Sequence, residues 1–549
     1  MRSVLHQASA AGSLDLGGHV AVWQSPPDSF RLPLPWDGAV LGTLVDHVSL
    51  RGAPGELIIC AVTVRPRQDA SGLMLRPGPL TTEAGAVIAP TAWDVHHLLW
   101  WWQSPTGVVG GELEPTPELL AHDPRLVDPL TDTPDNRIDG PLGPDARRPL
   151  PVDLPAGDLH TFILSLPVPA DAPPGPYEGE ILIRSGGAET RLPYALQVLP
   201  IELASEQPEV IIELRSRLGP GDLSEVEALS ERRMQSVLED VRSLGARVAT
   251  VAAEIPTETE SLDDLEQALR LRAEVGMTVG PLLLHGTEPW LLNIAGHAYT
   301  PAGFAQHNGV FLARMRQVAA LGEELGLEGL VMCGMPSAGT PLAHHQNVAA
   351  KACGGLGLST YIEAQPGISH ATAHIDYVSL CRDDEQDARA ARRMGFRLWY
   401  RPEHAGLEDP AALRREAGFS LDHRGYAGLI APYWQPSGDP LRDGDSAAKD
   451  RMLAYPSAGG PVRTLSWLGL REAITDRQYL TAAEDLLKRV LRTTGMGGFG
   501  ARPRPPEVQE LQDAWRAALE RGDPAESRER LRSAMAGAVR WLEARDRGE

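Results

Sequence analysis

Up to about residue 205, apolar and polar positions alternate in short runs that Gly and Pro interrupt, among them ELIICAVTVRP (56–66), HTFILSLPVP (160–169), YEGEILIRS (177–185) and RLPYALQVLP (191–200). A two-residue period turns every second side chain to the same face. These runs therefore predict antiparallel strands with one face buried, and together an all-β sandwich. The turn-rich DAPPGPYEG (171–179) joins two of them. The stretch from about 113 to 150, rich in Pro and Asp, reads as a long surface loop or ordered coil.

From residue 209 the rhythm changes. Continuous apolar runs at 209–214, 246–254, 278–285, 328–334, 358–364, 375–380, 396–400 and 426–434 alternate with charged amphipathic stretches such as LSEVEALSERRMQSVLEDVRSLG, SLDDLEQALRLRAEVG and DDEQDARAARRMG. Uninterrupted apolar runs suit strands buried on both faces, and helical text between them implies parallel strands joined by crossovers. Eight such units in about 270 residues fit a (β/α)8 barrel better than an open sheet. After the eighth strand comes helical text. GMGGFGARPRPP (495–506) separates a helix around 474–493 from PEVQELQDAWRAALERG and ESRERLRSAMAGAVRWLEAR, whose apolar stripes predict docking on the barrel or on a neighbouring subunit. The predicted plan is a β-sandwich over 1–205, a (β/α)8 barrel over 206–480 and a helical segment over 481–549.

Composition narrows the function. A chain of 549 residues with 42% hydrophobic and 23% charged content is expected to form more than one domain around a large core. A formal net charge of −22 repels a phosphate backbone, and no basic run interleaved with aromatics offsets it, so nucleic acid is not an expected partner. No apolar run has the length of a bilayer span, and MRSVLHQASAAGSLDLGG lacks the apolar core of a signal peptide, so a cytoplasmic location away from membranes is expected. Cys60, Cys333, Cys353 and Cys381 are widely spaced without metal-ligand spacing, which predicts free thiols rather than a zinc site or a disulfide framework. No cofactor is expected.

Two stretches carry a resemblance. LHTFILSLPVPADAPPGPYEGEILI (159–183) resembles the end of the β-sandwich that precedes the barrel in glycoside hydrolase family 123 and in its relatives, domain-of-unknown-function family 4091. DRMLAYPSAGGPVRTLSWLGLREAITDRQYLTAAEDLL (450–487) is similar to that family's C-terminal signature, with Tyr455, Pro456, Leu470, Arg471, Ile474, Asp476, Tyr479 and Leu480 matching. PGELIICAVTVRP (54–66) and RLWYR (397–401) resemble an early strand and the seventh barrel strand of such chains. The resemblance implies cleavage of N-acetylhexosaminides by substrate-assisted retention: one carboxylate orients the sugar's acetamide as nucleophile while a neighbouring Glu protonates the leaving oxygen. That pair sits in a "DEP" motif at the end of the fourth barrel strand. In GLVMCGMPSAG (329–339), with Pro336 as anchor, its two places fall on Gly334 and Met335, after Cys333, and neither side chain carries a proton. A second departure replaces a charged pair of the signature by Leu465, Ser466 and Leu468.

Barrel sites are built where the βα-loops converge at the C-terminal strand ends. The ionisable residues predicted there are Glu213 with Arg215 and Arg217, Glu254, His285 and Glu288, Glu363, and Glu403 with His404. Glu363, one strand along from the vacated place and behind an apolar run, is the first candidate for a relocated acid, and Glu288 the second. The plain alternative is a carboxylate tied to an Arg or to loop amides. Trp290, Glu403, His404, Tyr433 and Trp434 are candidate substrate contacts, the aromatics as platforms for pyranose rings. Trp399 and Tyr400 could join these platforms, with barrel packing the stronger reading for Trp399. His344 and His345 diverge by about 100° on a helix and suit no shared ion. His96 and His97, ahead of LLWWWQ, read as an interface or edge feature. Three functions follow: a carbohydrate-directed glycoside-hydrolase-like protein without its acid pair, an active glycosidase with a relocated acid, or an assembly subunit or homo-oligomer using the terminal helices and the HHLLWWW patch.

Overall fold

A computed structural model describes residues 19–25, 32–40, 42–103, 113–138, 142–204, 209–219, 228–246, 248–252, 261–278, 282–285, 301–327, 330–334, 350–351, 353–364, 374–380, 385–401, 410–434, 452–493, 505–520 and 522–547. Within these ranges the protein combines β-sheet layers, a curled parallel sheet flanked by helices, and a helical C-terminus. Among the described residues no helix is long and apolar enough to cross a membrane.

Two sheets form the sandwich. The first runs Thr43–Leu44, Val20–Ser25, Leu57–Pro66, His160–Pro167, Asp94–Gln103, Glu114–Ala121, Val462–Thr464, Ala454–Tyr455. The second is built on Val152–Leu154, Ala70–Pro77, Gly175–Ser185, Ala188–Val198 and Val48–Gly52. Val62, Val64, Leu164 and Leu166 of one sheet and Leu73, Ile181, Ile183, Leu192 and Leu196 of the other make a single buried core, as the alternation in the sequence required. The hairpin Gly175–Ser185 to Ala188–Val198 closes through Gly186 and Gly187, both at positive φ (53° and 88°), the geometry a two-residue turn needs to match strand twist.

Two features depart from the sequence reading. Glu114–Ala121, expected as loop, is a strand: its ELLA end is buried, and Pro115 and Pro117 pair with Trp102 and Trp100 beyond a register shift at Leu99/Trp100. The Asn136 side chain both accepts from Trp102 N–H (2.7 Å) and donates to its carbonyl (2.9 Å). Prolines disguise a strand because they cannot donate to a ladder, yet sheet ends tolerate them. The first sheet also takes in Ala454–Tyr455 and Val462–Thr464, which follow the parallel sheet in the chain, so the sandwich is completed from both sides of it.

Each of the eight apolar runs supplies the parallel sheet: Glu209–Glu213, the pair Val248–Ala249 and Val251–Ala252, Leu282–His285, Leu330–Gly334, Ser359–Ala364, Tyr377–Leu380, Arg397–Tyr400 and Gly428–Pro432. Val248–Ala249 pairs with Glu209–Glu213, and Val251–Ala252 pairs with Leu282–His285. Thr250 bridges the interruption, its hydroxyl donating to Leu214 O (2.9 Å) and accepting from Leu214 N–H (2.8 Å). Ile211, Val248, Leu283, Tyr361, Trp399 and Ile430, from six of these strands, form one buried cluster. Trp399 is fully buried there, stacked on Tyr377 at 4.5 Å with its indole N–H donating to Glu209 (2.9 Å), so it packs rather than binds.

The C-terminal helices Pro506–Leu519 and Pro524–Asp546 dock on the long helix Leu465–Thr493 and on Ala53, Leu199 and Ile201 of the sandwich. A buried ionic network fastens this junction. Asp476 accepts from Arg414 Nε (2.8 Å) and Arg528 Nε (2.5 Å), and Glu472 accepts from Arg528 Nη1 (2.7 Å). Tyr479 donates to Glu56 of the sandwich (2.6 Å), whose carboxylate also pairs with Arg532. Asp476 and Tyr479 lie in the stretch 450–487, whose apolar residues Leu470, Ile474 and Leu480 are buried too. In this protein that stretch is the junction of sandwich, parallel sheet and tail. Leu465, Ser466 and Leu468 are likewise buried, where uncharged side chains cost less to desolvate than an ion pair.

Candidate functional site

Parallel strands Glu209–Glu213 and Gly428–Pro432 run in register, Glu213 beside Pro432, and Arg397–Tyr400 follows as the next neighbour. The two-residue period carries the buried face of Ile211 to Glu213 and that of Trp399 to Arg401. Glu213 is only 3% exposed and engages two guanidinium groups: Arg215 Nε lies 3.1 Å from Oε1, and Arg401 pairs with Oε2. Both oxygens of this carboxylate are thereby committed to holding arginines. Arg215 is largely exposed and Arg401 largely covered, so the cluster carries one guanidinium to the surface at the strand ends.

The last strand runs on into Tyr433 and Trp434, and both rings turn into protein. Tyr433 has no exposed surface, and its hydroxyl donates to Asp240 of the helix Glu231–Ser243 (2.8 Å). Burial, with the Asp240 carboxylate beside it, holds this phenol well above its ordinary range. Trp434 is 4% exposed and its indole N–H donates to Ser216 (3.0 Å). The reading of these two rings as sugar platforms is corrected on that ground: a ring sealed in a core offers no face to a ligand.

Leu330–Gly334 is the fourth segment of the parallel sheet and ends on Gly334, with Cys333 opposite Tyr361 and Gly334 opposite Ile362. On the next strand, Ser359–Ala364, the backbone sets Glu363 opposite Ser379. His285 ends the third segment, opposite Ala252. Glu254, Glu288, Trp290, Met335, His344, His345, Glu403 and His404 lie outside the described residues.

The sequence reading missed one cluster. Asp94, His96 and His122 converge in the sandwich, within reach of a shared ion. A D-x-H step on one strand was the signal available for the first two residues; His122 follows the neighbouring strand and needed the register.

Comparison with solved structures finds likeness along 96% of this chain and 100% of the other to a family 123 glycoside hydrolase from Clostridium perfringens, described in a structural study of glycolipid glycan hydrolysis, with a TM-score of 0.64 and 13% identity. At that identity the likeness is one of fold. Looser matches include a dihydrodipicolinate synthase from Acinetobacter baumannii (TM-score 0.27, 12% identity, 57% of this chain and 98% of that one) and β-glucuronidase 3 from Bacteroides uniformis (0.30, 9%, 80% and 50%). No protein-family model matches the sequence, and no curated protein matches it significantly.

Proposed function

We propose that this chain is a carbohydrate-directed protein of glycoside-hydrolase type, a β-sandwich and a (β/α)8 barrel with a helical tail, in which Gly334 and Met335 occupy the places of the N-acetylhexosaminidase acid pair. The observation that carries the reading is the end-to-end likeness of fold to a family 123 glycoside hydrolase. Closure of the barrel is supported by residues 248–252, whose two halves pair with the first and third strands. Loss of the original acid is supported by the end of the fourth strand, which carries Cys333 and Gly334. Without a proton donor at that place the leaving oxygen of a glycoside departs as a poor anion, so binding outlasts hydrolysis. In this reading Arg215 and Arg401, fixed by Glu213, donate to ligand oxygens, and Trp290, Glu403 and His404 contribute further ligand contacts.

A second reading keeps hydrolysis with a relocated acid. It is favoured by the position of Glu363, on the strand next to the vacated place. Glu288 is the other candidate for that role.

A panel of chromogenic glycosides, N-acetylhexosaminides among them, together with glycan-array binding, separates the readings. The first expects glycan binding without release of the leaving group, and binding weakened by Arg401→Met. Release abolished by Glu363→Gln or Glu288→Gln selects the second. A protein that neither binds nor cleaves any glycan removes both and leaves the assembly subunit.

A further inference from the structure

In the strand Asp94–Gln103 the two-residue period sets Asp94 and His96 on one face and His97 on the other, where His97 Nδ1 meets His160 Nε2 at 2.8 Å and its Nε2 meets Leu150 O at 2.8 Å. The antiparallel ladder with Glu114–Ala121 ends on His97↔Ala121. One residue past the end of the second strand is His122, which therefore comes to lie across from His96. Its Nε2 is 2.7 Å from Asp94 Oδ1, and His96 Nε2 is 3.6 Å from Asp94 Oδ2. One donor atom from each residue falls within 4.8 Å of the others. We propose that Asp94, His96 and His122 form a binding site for one divalent transition-metal ion of the zinc class, with Asp145 as the carboxylate that orients His122.

Four observations converge on this assignment. Two imidazoles and a carboxylate are donors for such ions at about 2.0–2.2 Å, which sets donor atoms about 3–3.5 Å apart around a common centre. The gaps of 2.7 and 3.6 Å on the two oxygens of Asp94 bracket that spacing, so small rotations complete the site. Secondly, a metal-bound His characteristically gives its other nitrogen to a carboxylate. Here His122 Nδ1 lies 3.2 Å from Asp145 Oδ2, and Asp145 is itself fixed by the backbone N–H groups of His122 (3.0 Å), Asp123 (2.9 Å) and Ala146 (2.8 Å).

Thirdly, an ion pair alone accounts for His122 between two carboxylates but leaves His96 poorly served. Its 3.6 Å approach to Asp94 is too long for a hydrogen bond, while its ring lies 4.3 Å from that of His122. A shared ion gives both imidazoles a bond. Lastly, the Asp94 side chain is 47% exposed whereas the two imidazoles are largely covered, which leaves one open side for entry and for a water as fourth ligand. Arg463, whose charge acts on Asp94, is itself paired with Asp240 at 2.6 Å. The assignment is independent of the carbohydrate reading.

The test uses the full chain, stripped with a chelator, dialysed, and titrated with Zn²⁺ by calorimetry and with Co²⁺ by absorption. One equivalent of Zn²⁺ is expected, displacing Co²⁺ and raising the melting temperature. His96→Gln and His122→Asn abolish that equivalent, and Asp145→Asn weakens it about 10–100-fold. His47→Gln, which alters an exposed imidazole beside Asp46, leaves it intact. If circular dichroism finds the His122 variant unfolded, Asp94→Asn at the exposed corner decides in its place. A titration with no stoichiometric binding, or with an equivalent that survives both His96→Gln and Asp94→Asn, overturns the site and leaves a network of ion pairs.

Discussion

Tyr433 and Cys60 are residues whose chemistry is decided by where they end up rather than by what they are. A Tyr-Trp pair at a strand end has the composition of a sugar platform, and only the hydrogen bond from Tyr433 to Asp240 reveals that the ring closes a core. Cys60 sits on the strand Leu57–Pro66 with its neighbour Ala61 fully buried, and desolvation pushes its thiol up to about 12. Cys353 is pushed up to about 12 for the same reason. A raised thiol pKa keeps the nucleophilic thiolate scarce at every pH below that value. Iodoacetamide applied to the native protein at neutral pH is therefore expected to spare Cys60 and Cys353, and to label both after unfolding in urea. Peptide mapping reads the outcome, and native labelling of Cys60 would contradict its burial.

At the scale of elements, the helix Leu465–Thr493 is bound to its neighbour by a residue without a side chain. A Cβ at Gly469 would come 2.3 Å from the carbonyl oxygen and 2.7 Å from Cα of Pro410, the first residue of the helix Pro410–Ala417. In an unconstrained helix Gly→Ala stabilises by about 1 kcal/mol. Backbone against backbone cannot yield, so here the sign reverses, and Gly469→Ala is expected to cost about 1–3 kcal/mol. Gly309, in the helix Pro301–Glu324 with nothing within 4 Å of the added Cβ, is the control and should gain the usual increment. Urea denaturation of the two variants compares them directly. The strand Glu114–Ala121 carries the same lesson, since its prolines veil an element that its buried ELLA end creates.

For the whole molecule, the ionic network around Asp476 and Glu56 matters more than any single contact. Arg414 belongs to the helix Pro410–Ala417, Asp476 to the long helix, Arg528 and Arg532 to the last helix and Glu56 to the sandwich, so two sets of charges, Arg414–Asp476–Arg528 and Glu56–Arg532, tie the last helix to its neighbours. A buried network of this kind adds little over an apolar core when complete but costs heavily when broken, because the remaining charges are stranded away from water. Asp476→Asn leaves Arg414 and Arg528 facing a neutral amide, and is expected to cost about 3–5 kcal/mol. The measurement is the denaturation midpoint together with limited proteolysis, which should release the terminal helices from the variant before the wild type. An unchanged midpoint would mean that the apolar docking of Leu511, Leu531 and Met535 suffices by itself.

The sequence by itself determined most of the segments that become strands and helices, the proline-veiled strand Glu114–Ala121 excepted, because a period of two or of 3.6 residues is written locally in the order of apolar side chains. The alternating runs of the sandwich, the eight apolar runs of the parallel sheet and the amphipathic stripes of the tail were all legible in that way. What the order of residues did not contain was proximity between distant segments. That Ala454–Tyr455 and Val462–Thr464 return to the sandwich, that Asp476 is a bolt between helices, that Tyr433 faces Asp240 and that His122 lies across from His96 each depend on register and packing between segments far apart in the chain. Such contacts are fixed only when the whole core closes, since burying apolar area is a property of the assembled layers and leaves no local mark on the residues that meet there.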